Sequence, residues 1–339
     1  FFSILIFYFI KKRTQFVNEI QQSIKFLLIK FTNFSIYEKT ILFLVLFFGM
    51  LILFQGIVFP PNNWDSLTYH MTRIIFWLSN ETVAHYQTYI LRQLYQPPFS
   101  EFFILHINVL NGNDLLANLV QLLFLFSSFL VMWLLLNLFL VKRVNKLIAI
   151  LLLITVFSIF LQASTTKNDI VCGFFVLATL YYAFTTYRNL KICNFLYLGI
   201  SIGLALFTKG TAYLFIAPII LIFFILYLIK MYQNKDYKPF LYGFVSIIII
   251  LLINAGHYKR NFDLNSNILN IDITESKMYP NEEINLKNLI SNSIKNIGLH
   301  LGYPFFDQAD GLIKKIHENL DLDIDNPQTN YGGMKYQVS

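Results

Sequence analysis

The sequence is poor in charge, in cysteine and in glycine-rich loops, and each shortage excludes something. Only 13% of its 339 residues are Asp, Glu, Lys or Arg, against 56% hydrophobic. A soluble domain carries about twice that charge, so a purely aqueous globule is excluded. The two cysteines, Cys172 and Cys193, stand near opposite ends of one predicted span, too far apart for a disulfide, and fix no redox compartment. Gly112, Gly203, Gly210 and Gly256 are isolated, so no phosphate-cradling loop of the Walker or dinucleotide-binding kind is present. His70, His85, His106, His257, His300 and His317 show no H-x-x-x-H spacing, and C-x-x-C is absent, which argues against a structural zinc site. Ser66 and Ser100 lack a G-x-S-x-G setting, which argues against serine-hydrolase chemistry. The formal charge of +7 is spread in short clusters between apolar runs, a topology signal and no nucleic-acid surface.

What the chain does have is apolar runs of bilayer length. They predict spans at 39–59, 114–141, 147–163, 170–187, 195–207, 211–229 and 239–256. Bases fall between them in alternation: Lys11, Lys12, Arg13, Lys25 and Lys30 around an amphipathic 20–31 stretch, then Lys142, Arg143 and Lys146, then Arg188 and Lys191, then Lys230, Lys235 and Lys238. One alternating assignment puts all four basic segments on the cytoplasmic side. Three segments are expected. Residues 1–38 are a partial N-terminal span and a cytoplasmic basic amphipathic segment. Residues 39–256 are the transmembrane domain, with a long first outer loop at 60–113. Residues 257–339 are a polar extracytoplasmic segment with amphipathic patterns near 283–299 and 309–320. Phe1 is no natural start and the polar end reads as truncated, so a fragment is expected. Inside the outer loop, 102–110 is too short to span and predicts a helix dipping into the interface. The expected fold class is an all-α polytopic membrane protein.

Asp65, Asp169, Lys209 and Arg260 all fall on the outer side, at or near the ends of four spans. Ionisable groups beside lipid are functional candidates by default. The short span at 195–207 would recess Lys209 into the rim of a shared cavity. Past the Pro60-Pro61 break, Asp65, Tyr69 and Arg73 sit at i, i+4 and i+8, one stripe of a helix, with Trp64 and His70 beside them. Two readings of this stretch stay open. It is an amphipathic helix on the lipid headgroups, anchored by Phe76 and Trp77, or an active-site loop with Asp65 as its carboxylate.

Five short motifs carry a resemblance over 39–262: Trp64-Asp65-Ser66 with Tyr69-His70, Gln96-Pro97-Pro98-Phe99, Lys167-Asn168-Asp169, Leu206-Phe207-Thr208-Lys209-Gly210, and Arg260-Asn261. In order, spacing and sidedness the chain resembles the polytopic GT-C glycosyltransferases, the superfamily of the protein O-mannosyltransferases (family 39) and the lipid A aminoarabinose transferases. Asp65-Ser66 stands where many mannosyltransferases carry Asp-Glu, and Gln96 where a basic residue often precedes the Pro-Pro pair. The resemblance implies a GT-C-like helix bundle with juxtamembrane helices in its first outer loop. It implies a hexosyl- or pentosyltransferase of a bacterial or archaeal plasma membrane, working on the extracytoplasmic side. The donor would be a polyprenyl-phosphate-linked sugar and the acceptor a hydroxyl on a lipid, glycan or protein. Asp65 would be the general base. Lys209 and Arg260, with Arg73 in reserve, would hold the donor phosphate. Asp169, Tyr69, His70 and Trp64 would meet sugar or acceptor. The resemblance fixes no cofactor; a divalent metal is left open, with Glu101 and Asp169 as candidate ligands. The rival class is a transporter or flippase of lipid-linked saccharides, which would place broken helices and charge near the midplane.

Overall fold

The computed structural model describes residues 33–269, 285–302, 305–327, 330 and 335–336; the span and most of the basic segment expected before residue 33 lie outside them. Among the described residues the chain is helical, with no strand. Helix α1 (Ile36–Val58) opens on a capping box: the Glu38 amide donates to Ser35 Oγ at 3.3 Å, and the Ser35 amide donates to Glu38 Oε2 at 2.8 Å. It ends just before Pro60-Pro61, which withhold two amide hydrogens from any continuation.

The segment after α1 then runs through a π-helical turn at Ser66–His70, α2 (Met71–Ser79), α3 (Arg92–Tyr95) and α4 (Phe99–Asn111). The rest of the bundle is α5 (Leu119–Leu138), α6 (Arg143–Thr155), α7 (Phe157–Gln162), α8 (Asp169–Arg188), α9 (Ile192–Thr208), α10 (Ala212–Asn234) and α11 (Lys238–Asn265). Helices α1, α5, α8, α10 and α11 are each long and apolar enough to cross a membrane. The chain is an all-α polytopic membrane protein, as expected.

Two expectations change in detail. The run at 147–163 is not one helix: Val156, with φ −59° and ψ 120°, splits it into α6 of 13 residues and α7 of 6. Neither piece spans by itself. The helix expected over 102–110 forms as the longer α4 directly after Pro97-Pro98, closed by Gly112 at φ 71°, a left-handed C-cap that glycine adopts without strain. At 13 residues it is too short to cross.

Helix α9, apolar but at 17 residues shorter than the five candidate spans, packs against α8 and α11. A Cβ on Gly199 would stand 2.9 Å from the Cα and carbonyl oxygen of Ser246 on α11. Ser246 Oγ donates to the Phe195 carbonyl at 2.7 Å, and Asn254 Nδ2 to that of Gly203 at 3.0 Å. Lipid offers helices little hydrophobic reason to associate, so close backbone approach and interhelical hydrogen bonds carry the contact. Aromatic rings seat α4 on this bundle: Phe99 lies 5.2 Å from Phe175 and 6.2 Å from Phe207, and Phe103 lies 5.6 Å from Phe124.

At the end of the bundle where α1 begins, bases close the loops. Arg143 grips Glu38 with two bonds of 2.5 and 2.9 Å, Lys146 bonds Asn137, Arg188 bonds the Leu138 carbonyl, and Lys230 bonds those of Tyr187 and Arg188. Cations at helix C-termini satisfy carbonyls that the helix leaves open. Beyond α11, α12 (Leu286–Leu301) and α13 (Phe306–Asn319) form where the two amphipathic patterns were expected. They pair through buried His317, which takes a 3.0 Å bond from Ser291 Oγ at Nε2 and donates from Nδ1 to the Ile313 carbonyl.

Candidate active site

At the opposite end of the bundle, three loops bring carboxylates and lysines together. Asp65 Oδ2 lies 2.9 Å from Lys167 Nζ, and Asp169 Oδ1 lies 2.5 Å from Lys209 Nζ. The carboxylates are 31% and 37% exposed, so both pairs remain open to solvent or a ligand. Backbone position favours each charge of the second pair: Asp169 is the first residue of α8, where the helix dipole is positive, and Lys209 caps the C-terminus of α9. Asn168 Nδ2 ties the two ends, donating to the Thr208 carbonyl at 2.9 Å.

The loop carrying Lys167 is fixed from α5. Gln121 Nε2 donates to the Gln162 carbonyl and to Thr165 Oγ1, at 2.9 and 3.0 Å, while its Oε1 accepts from the Ile170 amide at 2.7 Å. Thr166 Oγ1 donates to Ser66 Oγ at 2.6 Å, which locks this loop to the turn that carries Asp65. Burial pushes the Asp65 carboxyl up, but the hydrogen bond and charge of Lys167, with His70 and Lys209 beyond, outweigh it. The net position is below the ordinary aspartate range.

The stripe expected of Asp65, Tyr69 and Arg73 is not the stripe found. Residues Ser66–His70 wind as a π-turn, with the Met71 amide on the Ser66 carbonyl, so one more residue fits in the turn than an α-helix allows. Asp65 therefore faces the lysine cluster, while Tyr69, His70 and Arg73 turn inward and are buried. Tyr69 lies tilted against His70 with ring centroids 4.0 Å apart, and burial next to Asp65 pushes its phenol well up. Trp64 is 82% exposed and points away from the interior.

Arg73, the reserve phosphate ligand of the sequence reading, is 1% exposed. Its Nε donates to the Gln93 carbonyl at 2.5 Å and its Nη2 to those of Arg92 and Gln96 at 3.1 and 3.0 Å. A guanidinium so engaged clamps α3, and the π-turn takes it off the i, i+4, i+8 stripe expected with Asp65. Arg260 lies in a separate group: its Nη1 donates to the Val83 carbonyl at 2.5 Å, and its electrostatic neighbours are Arg73, Tyr86 and His85. Glu101 is wholly buried between His70 and Arg73. Among the described residues no three His, Cys, Asp or Glu side chains converge as a metal site; Glu101 is taken up by His70 and Arg73, and Asp169 by Lys209.

Sequence reasoning missed Lys167 as the partner of Asp65 and Gln121 as the brace of its loop. Lys167 stood inside a quoted motif, which was the available signal; a lone Gln in an apolar helix carried none.

An apolar groove of about 480 Å³ opens beside the cluster. Asp169 and Gln162 line it with Leu125, Leu153, Phe174 and Leu177, from α5, α6, α7 and α8. Gly173 is also in its wall, and a Cβ there would meet nothing within 4 Å.

Spanning helices with opposed charges gathered at one end, next to a groove in the apolar zone, define a multi-pass membrane protein with a polar site at its surface. Residues 95–254, a little under half of the chain, match the family model described as dolichyl-phosphate-mannose-protein mannosyltransferase. The match supports a membrane glycosyltransferase of the GT-C superfamily. It covers Gln96-Pro97-Pro98, Asp169 and Lys209, and leaves Asp65, Arg73 and Arg260 outside. No curated protein and no solved structure matches the chain.

Proposed function

We propose that the protein transfers a sugar from a polyprenyl-phosphate-linked donor to an acceptor hydroxyl on the extracytoplasmic face, with Asp65 as general base. The observation that carries this reading is the pair of half-open ion pairs, Asp65–Lys167 and Asp169–Lys209, beside an apolar groove that Asp169 itself lines. A lipid-linked phosphate needs cations for its head and an apolar bed for its tail. The positive-inside distribution supports the sidedness, since the basic clusters with Arg143, Lys146, Arg188 and Lys230 lie at the other end.

In the reaction the acceptor oxygen bonds to the anomeric carbon as the bond from that carbon to the phosphate oxygen breaks. The acceptor proton passes to Asp65. Polyprenyl phosphate leaves with one more negative charge, which Lys209 and Lys167 are placed to meet. Phosphate competing for these lysines weakens their hold on Asp65 and makes its carboxylate a stronger base than in the free enzyme. Asp169 orients Lys209, and exposed Trp64 next to Asp65 is free to meet sugar or acceptor, whereas buried Tyr69 supports the turn from within. Arg260, bonded to the Val83 carbonyl apart from these pairs, stays a reserve partner for the donor phosphate.

The test is release of free polyprenyl phosphate from polyprenyl-phosphate sugars by membranes holding wild type or Asp65→Asn. Wild type should release it, and the variant should lose on the order of 10²–10⁴-fold in rate. Movement of labelled donor across the bilayer with its sugar–phosphate bond intact would instead establish a flippase.

A further inference from the structure

The turn that carries Asp65 is held from inside by side chains with almost no exposure. Glu101 on α4 places Oε1 2.7 Å from His70 Nδ1 and 3.5 Å from Arg73 Nη1. Burial opposes its charge, but Arg73 and His70 outweigh that and keep the carboxyl below its ordinary range. A carboxylate removed from water persists only with such partners. One partner is the last residue of the π-turn, the other lies in the first turn of α2. Gln93 on α3 adds a second hold: its Nε2 donates to the Thr68 carbonyl, inside the π-turn, at 2.6 Å. Arg73 in turn clamps the carbonyls of Arg92, Gln93 and Gln96. Turn, α2, α3 and α4 thus share one buried polar lattice. A π-turn is rare and has no strong local preference of its own. Relaxed to α-geometry, the same residues would swing Asp65 by about 100°.

We propose that Glu101 is a positioning residue: through His70 and Arg73 it keeps the Ser66–His70 turn open and so holds Asp65 against Lys167, without touching substrate. The inference rests on Asp65 being the base. His70 serves it through Nδ1, the nitrogen bonded to Glu101; Nε2 has no hydrogen-bond partner among the described residues.

The experiment uses the full chain in lipid nanodiscs, with two readouts: amide hydrogen exchange across 64–73 and steady-state transfer. Glu101→Gln keeps the volume and an acceptor for His70 while removing the charge that holds Arg73. It should speed exchange at 66–70, leave α5, α8 and α9 protected as in wild type, and lower kcat about 10²-fold with donor KM unchanged. His70→Asn places an amide nitrogen near Nδ1 and should retain most of the rate. His70→Gln places it near Nε2 and should not. Unchanged exchange at 66–70 in Glu101→Gln would overturn the proposal. So would activity in His70→Gln with none in His70→Asn, because Nε2 would then be the working atom. Should Glu101→Gln fail to fold, the two His70 variants still decide. If wild type transfers no sugar from any polyprenyl-phosphate donor, the glycosyltransferase reading fails, and the exchange data still report whether Glu101 holds the turn.

Discussion

The two ends of the bundle use the same residue types in opposite ways. Where α1 begins, Arg188 and Lys230 bond backbone carbonyls, Lys146 bonds an amide side chain, and Arg143 closes on a Glu38 that is itself a helix cap. Where α8 begins, Lys167 and Lys209 hold carboxylates that are about one-third exposed. Bonds to carbonyls finish a fold. Ion pairs open to solvent can trade partners, because an exposed pair is worth only about 0–1 kcal/mol and an incoming phosphate can replace the carboxylate. Charge alone therefore does not mark the site; what the charge is bonded to does.

The strongest way to break the comparison is to neutralise one acid at each end. Asp65→Asn should remove transfer by the orders of magnitude given above while its melting temperature moves little. Glu38→Gln should lower the melting temperature and leave the transfer rate as it was. Comparable rates in both variants would erase the distinction. Next in size is Lys209→Met, expected to lower kcat about 10²-fold, the scale of one lost oxyanion partner, measured by single-turnover release of polyprenyl phosphate.

A smaller effect tests the frame that holds the site end in place. Gly199→Leu drives a side chain into the backbone of Ser246, and overpacking of this kind costs about 1–3 kcal/mol. Thermal unfolding in detergent should show the loss; an unchanged midpoint would mean α9 and α11 are not held as described. The finest probe is pH. The Asp65 carboxyl lies below its unfolded value, so its ion pair stabilises above the ordinary aspartate range and is lost as pH falls through the lowered folded value. The acid limb of kcat/KM, which reports the free enzyme, should therefore lie below the usual aspartate pKa of about 3.9. Lys167→Met removes the chief lowering influence and should move that acid limb to higher pH, read from the kcat/KM profile.

Much of this was legible in the sequence because apolar length and basic loops are local signals. The spans around Asp169 and Lys209 come from runs that any bilayer would select, and the Pro-Pro turn announced α4. The break at Val156 was not legible, since the residues there include neither proline nor glycine. Nor was the π-turn. Its register is set by Thr166, Gln93 and Glu101, which lie 100, 25 and 31 residues from their partners. That distant agreement also explains why Arg73 looked like a companion of Asp65 and is a clamp on α3. The pairing of Asp65 with Lys167 depends on the same Thr166–Ser66 lock and could be read only once the loops were in place.

Gly173 gives the chain a way to change without breaking. It stands one turn into α8 from Asp169, in the groove wall, with open space where a side chain would grow. Alanine there would add about 1 kcal/mol of helical preference, and each further carbon would narrow the bore beside the ion pair without disturbing a hydrogen bond. Stability and capacity are set against each other at one atom. On the reading proposed above, a larger side chain at this position would narrow the bed for the carrier lipid while both ion pairs stay in place.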